Sequence, residues 1–168
     1  LNLDGSTDHI EKRNKGMNEN IICQYIINDD FDNFIKYINM NVIDLNSLIP
    51  FSLFESSGFV STFSEKGMHY IEYAAFYGAL KIFKYLIQIN CVIQPKTMNA
   101  AIIGGNYEII HLLEDKNISM NNDCLYDAVK SNRNEIVNYI LDNNSSISLS
   151  EDILNDLIPF YNLDFIIN

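Results

Sequence analysis

Three stretches of equal length decide the fold: YIEYAAFYGALKIFKYLIQINCVIQPK (70–96), TMNAAIIGGNYEIIHLLEDKNISMNND (97–123) and CLYDAVKSNRNEIVNYILDNNSSISLS (124–150). They align without a gap. Ala74, Ala101 and Ala128 fall in one column, Ile82, Ile109 and Ile136 in a second, and Leu86, Leu113 and Ile140 in a third. Lys81, Glu108 and Glu135 precede the second column, and Gly78, Gly105 and Asn132 follow the first by four residues. A fixed period of 27 residues means units too small to bury their apolar side alone, which must stack and share a core.

Within each unit the spacing is helical. In the second, Met98, Ala101 and Ile102 make one stripe, and Tyr107, Ile110, Leu113 or Ile109, Leu112, Leu113 make the next. Gly104-Gly105-Asn106 supplies a turn between them, where positive φ is easily reached. Small alanines in the first helix let a neighbouring helix approach, and large aliphatics in the second fill the space between layers. Each second helix runs into Asn90-Cys91-Val92-Ile93, Asn117-Ile118-Ser119-Met120 or Asn144-Ser145-Ser146-Ile147. Asn tolerates the left-handed conformation that ends a helix, and the apolar residue three later is expected to fold back on the stack.

Residues 69–150 resemble ankyrin repeats, helix–turn–helix units of about 33 residues. The family's Ala-Ala-x-x-Gly block corresponds to Ala74 through Gly78 and Ala101 through Gly105. Its Glu-Val-Val-x-x-Leu-Leu block corresponds to YEIIHLL (107–113) and NEIVNYI (134–140). The Thr-Pro-Leu-His box is replaced by His69-Tyr70-Ile71-Glu72, Lys96-Thr97-Met98-Asn99 and Asp123-Cys124-Leu125-Tyr126, keeping only the apolar third position. Each unit is short where ankyrins project a β-hairpin finger. The resemblance is thus to a divergent, finger-poor type, and it implies an all-α, ankyrin-like helical-repeat solenoid of four to five helix pairs.

Outward from the repeats, residues 1–18 are polar and aperiodic, a mobile or loosely docked leader with one helical turn expected near His9 to Arg13. Residues 19–43 carry apolar clusters at helical spacing, and Asn28-Asp29-Asp30 predicts a stop and a new N-cap. That gives helices over about 20–28 and 30–40. FIKYI (34–38) matches IFKYL (82–86) at an offset of 48, so this pair reads as a diverged first repeat. Residues 44–68 form an irregular insertion, too apolar for a free linker and too interrupted by Pro50 and Ser56-Ser57-Gly58 for one long helix. A short helix and an ordered loop are expected there. Residues 151–168 read as a partial C-terminal repeat whose apolar face is expected to be covered by more protein or by a partner. Leu1 at the start is expected of a processed chain or a fragment.

The 168 residues suit a single domain, 48% hydrophobic and without Trp. Net charge is −11. Residues 1–65 hold 4 basic and 10 acidic groups, 66–133 hold 7 and 6, and 134–168 hold 0 and 6. Such a chain repels phosphate backbones and anionic membranes, so neither nucleic acid nor a membrane is expected as partner. No apolar run approaches a membrane span, and no signal peptide opens the chain. Cys23, Cys91 and Cys124 are odd in number and lack C-x-x-C spacing, which points to buried, reduced thiols and a cytoplasmic location.

No phosphate loop, nucleophile elbow, H-E-x-x-H or kinase motif is present, and His9, His69 and His111 fall at unrelated repeat positions. His111 shares its column with Lys84 and Asn138 and reads as an exposed helix residue, while His69 reads as a helix cap. The ankyrin resemblance implies that Cys124, in the column of Tyr70 and Thr97, is semi-exposed, and Tyr107, in the column of Leu80, is expected to be core. The expectation is therefore no catalytic, metal or cofactor residues. Ankyrin partners dock on the concave face, which the resemblance carries over to Tyr70, Thr97 and Cys124 at the helix starts and to Ala79, Asn106 and Arg133 at the inter-helix turns. The implied function is non-catalytic protein–protein interaction, as adaptor, scaffold or targeting module, with acidic ends favouring a basic partner. Two alternatives stand beside it, a structural subunit of a larger assembly and the regulatory region of an enzyme whose catalytic part lies elsewhere.

Overall fold

The computed structural model describes residues 10, 13–14, 16–50, 52, 54–55 and 67–148. These residues are all-helical, with eight bounded helices, no named strand and one isolated bridge between Leu48 and His69. In chain order the helices are α1 (Ile21–Ile27), α2 (Phe31–Met40), α3 (Tyr70–Phe76), α4 (Leu80–Gln88), α5 (Lys96–Gly104), α6 (Tyr107–Asp115), α7 (Asn122–Lys130) and α8 (Asn134–Asn143). The partial repeat expected at 151–168 lies outside the described residues, as do 51, 53 and 56–66 of the segment where a short helix is expected, and the described residues of 44–68 are not helical. Of the helical turn expected near His9, the described Ile10 and Arg13 are helical.

The helices come in pairs because the same turn chemistry recurs. Six chain reversals carry a residue in the left-handed region: Asp29 (φ 47°), Gly78 (66°), Asn90 (60°), Gly105 (77°), Asn117 (60°) and Asn132 (56°). At Asn117 the geometry is a Schellman closure, with Asn117 N donating to Glu114 O at 2.8 Å and Ile118 N to Leu113 O at 3.0 Å, which satisfies carbonyls that the helix leaves open. Asn132 closes α7 in the same way through Val129 O and Ala128 O. Asn144 departs from the expected pattern: its φ is −135°, and its side chain instead donates to Ile140 O at 3.0 Å. Behind these turns Met120 and Ile147 are buried as expected, while Ile93 is half-buried.

The three columns of the repeat are buried. Ala74, Ala101 and Ala128 are all helical and wholly buried, as are Ile82, Ile109, Leu86, Leu113 and Ile140. Each buried aliphatic side chain contributes about 1.5–3 kcal/mol. This is how helices of seven to ten residues, too short to persist alone, are held.

The described residues group into two compact units, one within Leu1–Ala74 and Lys81–Val92, the other within Ala75–Leu80 and Ile93–Asn168. In the first, α1 packs on α2, and Asp30 caps α2 by accepting from Asn33 N at 3.2 Å. Asp29 acts at longer range. Its carboxylate accepts from the amides of Lys81 and Ile82 at 3.1 Å each, so a turn residue caps a helix more than fifty positions later. Helix bounds also correct the offset read from FIKYI and IFKYL. Ile21 and Tyr70, Asp29 and Gly78, and Phe31 and Leu80 are each 49 residues apart, one more than the side-chain match suggests. The true register puts Phe34 with Phe83, both wholly buried.

The described part of the irregular segment is tied down by polar contacts. Ile49 N donates to Met68 O at 2.7 Å. Glu55 accepts from Tyr73 Oη at 2.7 Å and Asn18 Nδ2 at 3.2 Å, and Ser52 Oγ donates to Glu19. At the start of α3, Glu72 reaches back to accept from His69 N at 2.9 Å, a capping-box arrangement in which His69 is the cap residue.

In the second unit α5 packs on α6 and on α7, and α7 packs on α8. Side chains about one period apart link neighbouring helix pairs. Asn99 Nδ2 donates to Asp127 Oδ2 at 2.9 Å between the two first helices, and Asn106 Nδ2 donates to Gly78 O at 3.2 Å. Arg133 donates Nε to Ile103 O at 3.0 Å and Nη2 to Gly104 O at 3.2 Å.

Candidate functional site

Of the six residues singled out for a partner, four are buried and two reach solvent. Tyr70, Thr97, Cys124 and Ala79 are buried, none more than 5% exposed, so their side chains pack within the fold. Thr97 Oγ1 accepts from Gln94 N at 3.3 Å, and Asn121, not the residue before Cys124, caps α7 by accepting from Cys124 N at 3.0 Å. This earlier start of α7 draws Cys124 into the helix interior, where a semi-exposed side chain was expected. Asn106 and Arg133 remain within reach of solvent, yet both already work in the fold. Asn106 caps α6 through Glu108 N (3.0 Å) and Ile109 N (3.3 Å), and Arg133 clamps the two carbonyls at the end of α5. Beside them, Gly105, Tyr107, Asn132, Asn134, Glu135 and Ile136 line a shallow hollow of about 300 Å³.

A second group of side chains meets on α6 and α8, of which the sequence marks Tyr107 and His111 but not Glu114 or Tyr139. Tyr107 is half-buried rather than core, because its ring turns outward against Tyr139 with centroids 6.1 Å apart and planes at 89°. His111 meets the same Tyr139 ring edge-on at 5.5 Å and 81°. Glu114 joins them. It receives a bond from Tyr139 Oη at 2.9 Å and lies 2.9 Å from His111 Nδ1. The His111 side chain is 55% exposed, as its column implied. Burial, followed by the bond to Glu114, raises the Tyr139 phenol above its ordinary value, and burial does the same for Tyr107. Both rings therefore stay neutral near pH 7. His111, Leu112 and Glu114 lie one period before Asn138, Tyr139 and Leu141, so a column search would have placed Tyr139 beside α6 but not its bond to Glu114.

The two helices that carry this cluster are rich in carboxylates, with Lys116 and Arg133 at their ends. Glu108 and Glu135 share a column, as do Asp115 and Asp142, and all four are exposed. Neither α6 nor α8 contains a Lys or Arg between its bounds.

Cys23, Cys91 and Cys124 are free and buried. Burial pushes the Cys23 thiol up to about 12 and Cys124 to about 11, and raises Cys91, so none forms a thiolate near neutrality. Among the described residues no three His, Cys, Asp or Glu side chains converge to hold a metal ion. Nor is any helix of these residues long and apolar enough to cross a membrane.

Comparison with known proteins gives one family-level result. The sequence profile of a family described as a domain of unknown function (DUF3447) matches residues 89–168, just under half of the chain and including the second and third repeats. No curated protein and no solved structure matches.

Proposed function

We propose that this chain is a non-catalytic protein-recognition module built as an ankyrin-like helical solenoid. The observation that carries the reading is the recurrence of one helix pair. Three successive pairs bury the same Ala, Ile and Leu columns and reverse at Gly78, Gly105 and Asn132 with positive φ. Stacked pairs of this kind expose a long surface whose side chains vary freely while the core columns stay constant, and binding is its natural use. The match at 89–168 agrees with this, since DUF3447 is commonly found in ankyrin-repeat proteins. The excess of carboxylates favours a basic partner, and the buried, protonated thiols suit a reducing cytoplasm.

The test is affinity capture from the source cell with the full chain as bait, followed by calorimetric titration of the purified partner. A stoichiometric complex that is lost when the helices are unfolded supports the reading. Capture no greater than that of a scrambled-sequence control rejects it.

One observation favours a second reading, a structural subunit of a larger assembly. Met40 at the end of α2 and Val42 just beyond it are 85% and 109% exposed, and Val92 beyond α4 is 60% exposed. A permanent neighbour would cover such side chains. Under this reading the isolated chain self-associates in sedimentation at micromolar concentration, whereas a free recognition module stays monomeric.

A further inference from the structure

We infer that the outer face of α6 and α8, centred on Tyr107, His111, Glu114 and Tyr139, docks an arginine-containing basic segment of a partner protein. The inference rests on the recognition reading and moves the contact away from the helix starts, where four of the six expected residues are buried. Two features of the face define its occupant.

The first is charge. Glu114, Asp115, Glu135 and Asp142 stand on these two helices, and the cations beside them, Lys116 and Arg133, lie at the helix ends, where Arg133 is already bonded to the carbonyls of Ile103 and Gly104. Asp115 and Asp142 occupy the last turns, where the helix dipole already presents negative charge and disfavours a carboxylate. In the preceding pair the corresponding residues are Lys81 and Gln88, so the acidic columns belong to the last two pairs and are no general feature of the repeat. A basic segment relieves this repulsion.

The second feature is the ring cluster. Tyr139 stands edge-on to both Tyr107 and His111, and its hydroxyl is held by Glu114. Rings locked by a hydrogen bond lose little freedom when a partner lands, and Tyr is enriched among residues that dominate binding energy. A guanidinium suits the combination better than an ammonium does. It stacks flat on a ring while its fork engages a carboxylate, and it sheds water more easily.

The experiment measures fluorescence anisotropy of labelled (Ser-Arg)5 and (Ser-Lys)5 peptides against the full chain at about 0.15 M salt, where long-range attraction is screened. The arginine peptide is expected to bind more tightly than the lysine peptide. Tyr139→Ala and Tyr107→Ala should each weaken it by about tenfold, as for a central interface tyrosine. Asp32→Asn removes one exposed charge from α2 and should weaken it by less than about twofold. Tyr139→Phe, which keeps the ring and loses the bond to Glu114, should fall between. Should an alanine variant fail to fold, NMR of the intact chain decides the matter, since the Tyr107 and Tyr139 ring protons must shift on adding the arginine peptide. Absence of binding, equal binding of both peptides, equal loss on Asp32→Asn or unshifted tyrosine rings would each overturn the inference. A natural partner whose capture survives Tyr107→Ala and Tyr139→Ala removes this surface while leaving the recognition module standing.

Discussion

Gly104→Ala separates local preference from tertiary packing with a change of sign. Gly104 is the last residue of α5, and in a helix replacing Gly by Ala normally stabilises by about 1 kcal/mol. Here an added Cβ would lie 2.4 Å from Ala75 O, 2.7 Å from Phe76 O and 3.1 Å from the Phe76 carbonyl carbon. These are main-chain atoms at the end of α3, and no rotamer change moves them. Restoring ordinary contact near ~3.5 Å requires the two backbones to part by roughly 1 Å, against a core that resists such shifts. Overpacking costs about 1–3 kcal/mol, and an obstacle made of backbone places this site at the upper end. After the helix gain is subtracted, a net loss of about 2 kcal/mol remains. For a chain of this size that lowers Tm by roughly 4–8 °C. Urea unfolding followed by circular dichroism should show an earlier midpoint with an unchanged slope. A midpoint equal to or above that of the parent chain would refute the close approach of α5 to the end of α3.

Three further outcomes follow from particular contacts. Asp29→Gly keeps a residue suited to φ 47° but removes the cap on Lys81 N and Ile82 N, and should cost about 1 kcal/mol in urea unfolding, whereas Asp29→Asn should cost less. Asp127 has a raised pKa, chiefly because burial disfavours its charge, with the bond from Asn99 acting the other way. A folded-state pKa above the unfolded value gives stability that is complete below the usual carboxylate pKa and is lost as pH rises through the folded one. Asp127→Asn should therefore raise stability more at pH 7 than at pH 4, and an equal gain at both would contradict the burial of that charge. The thiols of Cys23 and Cys124, held near 12 and 11, should react with a disulfide reagent at pH 8 only as fast as the chain opens, with the full rate recovered in denaturant. Fast labelling of the native chain would show that they are not sequestered.

Much of the helical order was readable in advance because it is local or periodic. Asn28-Asp29-Asp30 announced the reversal between α1 and α2, and the alignment of Gly78, Gly105 and Asn132 announced the positive-φ turns. FIKYI and IFKYL match as strings at an offset of 48, whereas helix register follows the capping turn at Asp29 and gives 49. The candidate surface was less legible. The ankyrin resemblance puts Tyr70, Thr97, Cys124 and Ala79 on an open face, but all four are buried, and for Cys124 the reason is that Asn121 caps α7 and so takes that side chain into the helix.

From residue order alone come the helix pairs, their turns and the buried Ala, Ile and Leu columns, since a period of apolar residues and a few conformationally tolerant turn residues act over one or two turns of chain. Only the tertiary structure decides that Asp29 caps α4, that Asn99 bonds Asp127, that Arg133 closes the end of α5 and that Tyr139 meets Glu114. Those partners are 25 or more residues apart, and a hydrogen bond between them depends on distances of a few tenths of an ångström that no repeat period specifies.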